Sequence, residues 1–415
     1  MKPNRSPRRG MHLAAPRAAA LASAFAPAFA AAFAAALLLV LAGCAQAPRL
    51  VAIEQLPQDH LFQATSEATA ARAQAEADGL FAMSESMRAY AERVLREPGA
   101  WRDRRQSLID ALYLKTSLQL AYDAEATRTA AEAFEARAGN CLSLVLMTAA
   151  FAKHLDLPVN YQQVLLDDEF SRAGDLFFVS GHVNVMVGRF GPPLKGDDAQ
   201  WLTIDFLPQV ELRGQRTVAL DERTLVAMFL NNRAAEALAR GEIGTAYWYA
   251  RTALQRDPEF AAPANTLGVI YQRAGHFEAA ERALRFVIER EPKSASAWAN
   301  LTRLLRTQGR HAEAQVAAAR LAALEPHPPF HFYELGRIAL QGGDAARARE
   351  LLLRELRLQP QQHEVHFLLA QAYAALGEAP AATRHLGLAA ENSPTRQARA
   401  IYAAKLERLR AVRQQ

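Results

Sequence analysis

Three residues in the first half of the chain have side chains that can work together as a thiol nucleophile, its base and the base's orienting carboxylate: Cys141, His182 and Asp205. A thiol attacks as its thiolate, so it needs a neighbour to take or share its proton. An imidazole does this best when a carboxylate fixes its tautomer and orientation. The stretch from Arg137 to Leu155, RAGNCLSLVLMTAAFAKHL, suits the nucleophile. Asn140 is a good N-cap whose side-chain oxygen accepts from the free N–H groups of a first helical turn, and Gly139 lets the chain turn into it. Cys141 then stands in that first turn, where the positive end of the helix dipole favours a thiolate. Leu142, Leu144, Val145, Leu146, Met147, Ala149, Ala150 and Phe151 make the helix apolar almost all round, which predicts a buried helix.

After His154 the hydrophobic period changes from about 3.6 to 2, and the pattern predicts strands. Val159 to Leu166 reads as one strand, and Asp167 to Gly181, polar and glycine-containing, as a loop. His182 to Gly188 alternates, with Val183, Val185 and Val187 on one face. A turn region follows, then a strand from Trp201 to Phe206. If these two strands pair antiparallel about a loop near residue 195, His182 falls within a few residues of opposite Asp205. Upstream, apolar spacing predicts helices over about 78–95, 101–122 and 124–136. Cys141, His154 and His182 lack close ligand spacing, so neither a metal nor a cofactor is expected.

The segments R-x-G-N-C-L-S-L with its apolar helix, G-H-V-N-V, and T-I-D-F-L-P resemble the core of the transglutaminase-like superfamily, over roughly residues 100–210. The resemblance implies an α+β papain-like fold. It also implies Cys141 as nucleophile, His182 as general base and acid, Asp205 as orienting carboxylate, and the Cys141 backbone N–H as an oxyanion donor. The sequence departs from the commoner pattern at Asn184, where an aromatic residue often stands.

From residue 227 onward the chain repeats. Gly241, Gly275, Gly309, Gly343 and Gly377 are 34 residues apart, as are Ala246, Ala280, Ala314, Ala348 and Ala382, and Pro258, Pro292, Pro326, Pro360 and Pro394. This period resembles the tetratricopeptide repeat, a pair of antiparallel helices, and implies a solenoid whose groove holds a protein or peptide partner.

At the other end, a basic start, an apolar run over residues 18–43 and the ending Leu41-Ala42-Gly43-Cys44 read as a secretory signal and resemble the bacterial lipobox, implying lipidation at Cys44. Cys141 is then left without an intrachain partner. Ala45 after the lipidated position, by resemblance to enterobacterial lipoprotein sorting, in which aspartate there signals inner-membrane retention, implies the outer membrane, with the protein facing the periplasm. The net charge of +5 owes much to the first seventeen residues and gives no case for nucleic acid. The expected organisation is a signal peptide (1–43), a tether (44–75), the α+β catalytic domain (76–225), five repeats forming an all-α solenoid (226–395) and a capping helix (396–415). The expected function is a lipid-anchored thiol hydrolase, a protease or amidase, acting on an amide bond of a substrate held by the repeats. The alternatives are a protein-binding assembly scaffold without catalysis, and an acyltransferase that crosslinks proteins.

Overall fold

The computed structural model describes residues 53–63, 66–95, 103–113, 118, 120–124, 126–173, 176–189, 200–206, 216–325, 330–393 and 396–413. Cys44 and the apolar run before it lie outside the described residues, as do Pro326 and Pro394.

Two sheets and a set of helices precede the repeats. Helices α1 (Ser66–Asp78), α2 (Glu85–Leu95) and α3 (Arg104–Tyr113) are followed by the two-residue strand β1 (Ala121–Tyr122). Helix α4 (Ala130–Ala136) starts at a capping box in which Thr129 and Glu132 satisfy each other's backbone N–H groups. Strand β2 (Ala138–Gly139) pairs in parallel with β1 and leads directly into α5 (Cys141–His154). Strands β3 (Val159–Ala173), β4 (Leu176–Gly188), β5 (Trp201–Ile204) and β6 (Arg216–Leu220) form one antiparallel sheet in the order β5-β4-β3-β6. Val183, Val185 and Val187 are fully buried, as their alternation predicts, and α5 packs against their strand.

Four expectations are corrected here. Residues 167–181, expected as a loop, continue β3 and β4 as a hairpin with Glu169 opposite Ser180, after a register shift beyond Val164. The run Leu176-Phe177-Phe178-Val179 is itself a strand signal, and the polar residues before it, whose backbone groups close the ladder, mask it. The helix expected over 78–95 is helical only from Glu85 to Leu95, as α2, because α1 ends at Asp78 and residues 79–84 turn between the two. The helix expected over 101–122 is described as a helix only at α3, and residues 121–122 pair as a strand with β2. No strand is expected between Phe206 and the repeats, yet residues 216–220 form β6, an edge strand with Leu220 opposite Tyr161.

The segment expected as a tether is also folded from residue 53 onward. Phe62 stacks on Tyr247 with ring centroids 4.1 Å apart, the Tyr271 hydroxyl donates to the Leu56 carbonyl at 2.8 Å, and Arg251 pairs with Asp59 at 2.9 Å. Helix α1 packs against the first two repeat helices. A few anchors, Leu56, Phe62, Ala73 and Ala77, hold this segment. They are too sparse to form a period that the sequence could display.

The repeats begin with α6 (Glu222–Ala239) and α7 (Ile243–Arg256), and continue as α8 (Ala262–Arg273) with α9 (Phe277–Arg290), and α10 (Ala295–Thr307) with α11 (His311–Leu324). Helices α12 (His331–Gln341) and α13 (Ala345–Leu358), then α14 (His363–Ala375) and α15 (Ala379–Glu391), complete five pairs among the described residues, and α16 (Arg396–Arg413) follows. The five register glycines all take a left-handed φ between 73° and 82°, which reverses the chain between paired helices without strain for a residue lacking Cβ. The five register alanines are buried, letting paired backbones approach. One apolar core runs without a break from Leu56 through α5 and the sheet valines to Ala317 of α11. The first repeats therefore share their core with the N-terminal elements.

Candidate functional site

The start of α5 is built by its cap. Asn140 Oδ1 accepts from the Ser143 N–H at 2.9 Å and from the Ser143 hydroxyl at 2.7 Å, and its amide Nδ2 donates to Thr127 Oγ1 at 2.9 Å. Gly139 has a different task from the one its type suggested. The left-handed turn falls on Arg137, with φ 50°, while a Cβ on Gly139 would lie 2.6 Å from the Ser143 Cβ. The glycine is there so that β2 can pass close over the first turn of α5. From Leu142 to Ala152 the helix is buried, and Cys141 at its head is half-buried with a free thiol.

His182 comes from β4 and Asp205 from the end of β5. Their strands are aligned with Val185 opposite Ile204, so the register carries Asp205 to within a few residues of His182 across the ladder. Nε2 of His182 lies 2.7 Å from Asp205 Oδ2. Since the carboxylate accepts, this nitrogen carries the proton, and Nδ1 is the nitrogen left to face a thiol. Nδ1 is buried without a hydrogen-bond partner of good geometry, yet Cys141 acts on the ring both by its charge and through its sulfur. The two groups are thus close but not aligned, a common condition of such pairs before substrate binds. Burial works against a charged His182, but the Asp205 carboxylate and Cys141 outweigh it and raise the imidazole from 6.5 to about 9. Chemically, the arrangement can hold a proton on the ring beside a sulfur nucleophile, with a fixed tautomer and a half-open approach.

The structure therefore brings together the three residues that the sequence singled out, with Asn140 as the cap of the helix that presents the first. Asn184, one register step from Ile204 and so beside Asp205, is also buried, with its Oδ1 unpartnered among the described residues. Two contributors gave no sign in the sequence: Thr127, which holds the Asn140 amide, and Glu236 of α6, which accepts from the Thr127 N–H at 2.7 Å. Among the described residues no cluster of His, Cys, Asp or Glu could hold a metal ion, and no helix is long and apolar enough to cross a membrane.

The family model of the tetratricopeptide repeat matches residues 265–329 and 333–405. These helix pairs are tetratricopeptide repeats. The matched stretches run from α8 to α16, so the first pair, α6 and α7, lies outside them although it continues the same period. Tetratricopeptide repeats bind protein or peptide partners, and the solenoid is of that class. Among solved structures, PilF of Pseudomonas aeruginosa is 24% identical, covering 46% of this chain and 94% of its own, with a TM-score of 0.27. A thermophilic repeat protein of Thermus thermophilus is 18% identical, covering 43% of this chain and 98% of its own, at a TM-score of 0.28. YrrB, described as a repeat protein with an unusual peptide-binding site, is 17% identical, covering 43% of this chain and 92% of its own, at 0.23. No curated protein matches the chain in sequence.

Proposed function

We propose that this protein is a partner-binding tetratricopeptide repeat scaffold whose N-terminal elements carry a thiol site that cleaves an amide bond of the bound partner. The observation that carries the catalytic half is the His182–Asp205 hydrogen bond of 2.7 Å beside Cys141 at the head of a buried helix. In the proposed reaction the Cys141 thiolate adds to the amide carbonyl carbon, the backbone N–H of Cys141 helps hold the oxyanion, and His182 gives its proton to the departing amine as the C–N bond breaks. Water then enters, His182 takes its proton, and the thioester is hydrolysed. An amine in place of water gives the crosslinking variant of the same chemistry. The resemblance to transglutaminase-like, papain-like enzymes supports this reading through R-x-G-N-C-L-S-L, G-H-V-N-V and T-I-D-F-L-P. The proposal includes a lipid anchor at Cys44 and a place at the bacterial envelope, facing the periplasm from the outer membrane, on the strength of the L-A-G-C ending.

A second reading has a specific observation in its favour: the family match falls wholly within the repeats and the helix that follows them, as expected of a scaffold whose N-terminal elements are only structural. Partner trapping separates the two. Full-length Cys141→Ala used as bait should retain an intact partner that the unsubstituted protein releases shortened, or with an amide converted to an acid. A partner recovered unmodified and in equal amount from both baits supports the scaffold reading and removes the catalytic one.

A further inference from the structure

Outside Cys141, His182 and Asp205, a second group of polar contacts converges on the head of α5 from the repeats. Thr127 is almost fully buried. Its N–H donates to Glu236 Oε1 at 2.7 Å, and its carbonyl accepts from Arg233 Nη1 at 3.3 Å. Arg233 and Glu236 are both on α6, the first repeat helix, and Arg233 reaches on to Glu76 of α1 at 3.3 Å. Both α6 side chains are only 19% exposed, so water competes weakly for these contacts.

Glu236 accepts from the Thr127 N–H and Arg233 donates to the Thr127 carbonyl, so Thr127 is held from α6 while its Oγ1 turns a lone pair to Asn140. That lone pair takes the Asn140 amide Nδ2, at 2.9 Å, with Oδ1 pointed at the Ser143 N–H, which is the orientation that caps α5. An asparagine amide turned the other way would present N–H groups to the N–H groups of the helix end and cap nothing. The Ser143 N–H and hydroxyl set that orientation from within the helix, and Thr127 supports it from the repeat side.

We propose that Glu236 is a positioning residue for the Cys141 site, acting through Thr127 and Asn140 to hold the head of the nucleophile helix in its capped form. The proposal rests on reading Cys141 as a reactive thiol, and it makes the first repeat part of the site.

The test uses the full chain and the rate of Cys141 alkylation by iodoacetamide across pH 6 to 9, with thermal melts to check folding. Glu236→Leu removes the acceptor of the Thr127 N–H at similar size. Thr127→Val removes the hydroxyl at equal volume. Both should slow alkylation near neutral pH by roughly two- to five-fold, the range expected from losing a well-formed helix end, while Thr127→Ser stays at the unsubstituted rate. A merely loosened fold would expose the thiol and speed the reaction instead. Unchanged or faster alkylation in both variants overturns the proposal. If native Cys141 does not react even in the unsubstituted protein, the thiol-site reading fails separately. The positioning claim is then decided by hydrogen exchange at the Ser143 amide: faster exchange in Glu236→Leu supports it, and equal protection overturns it.

Discussion

Replacing Asp205 with asparagine removes the carboxylate whose hydrogen bond does most to keep a proton on His182. In the intact site the imidazole is raised from 6.5 to about 9 against the opposing effect of burial, a difference worth roughly 3 kcal/mol at about 1.36 kcal/mol per pH unit. Asp205 and Cys141 share that effect, so the values belong to the coupled group rather than to one residue. Removing the carboxylate should return at least about one pH unit of it, and burial then carries the ring further down. The asparagine can also donate to Nε2 from its own amide, which favours the tautomer with the proton on Nδ1 and turns the ring's acceptor away from Cys141. The check is an NMR titration of the His182 ring in the two proteins, with His182→Gln for assignment. Stability supplies the second readout. A base whose folded value is raised adds stability that is complete below its unfolded value of 6.5 and is lost as pH rises through about 9. The unsubstituted protein should therefore lose up to about 3 kcal/mol between pH 6.5 and 9 from this ring, and Asp205→Asn distinctly less. If His182 titrates at the same pH with and without the carboxylate, the account of the pair is wrong despite the 2.7 Å contact.

Three further outcomes are expected. At the last repeats, His366 donates from Nε2 to the Pro360 carbonyl at 3.1 Å and accepts on Nδ1 from His385 at 3.0 Å, and burial pushes His385 down to about 4. A depressed folded value means stability is lost as pH falls from 6.5 through about 4, by up to about 3 kcal/mol for His385. The protection factors of the amides in α14 to α16, referred to intrinsic exchange at each pH, should accordingly fall between pH 7 and 4.5, and equal protection factors at both would refute this. Gly268→Ala places a methyl 2.6 Å from the Leu284 Cδ2, an overpacking that should cost about 1–3 kcal/mol in chemical denaturation. A variant as stable as the parent would show that α8 and α9 are less tightly packed than described. Cys44→Ser should abolish incorporation of radiolabelled fatty acid in the native host, and retained label would remove the anchor from the proposal.

How much of this was legible in the sequence depended on whether the cause was local. The repeats could be read because each register residue meets a requirement renewed every 34 residues: a left-handed turn at Gly241 and its equivalents, a close approach at Ala246 and its equivalents. The Asn140 cap and the buried valines of β4 are local in the same way. His182 and Asp205 could be brought near each other because one hairpin register relates them. Contacts such as Thr127 with Glu236, 109 residues apart, follow no period, and neither does the seating of Leu56 and Phe62 on the repeats. Gly139 shows a subtler failure: its type suggested a turn, whereas the structure uses its missing Cβ to clear Ser143.

The central claim is that Cys141 is a reactive thiol served by His182, and native-state alkylation tests it most directly. Mass spectrometry of the full chain treated with iodoacetamide near neutral pH should show Cys141 modified rapidly in the folded protein. His182→Ala should slow the reaction at least about tenfold, less than the roughly hundredfold or more that a positioned acid–base group contributes to turnover, because alkylation needs no proton delivered to a leaving group. Modification that appears only after unfolding, or proceeds equally fast without His182, would contradict the account.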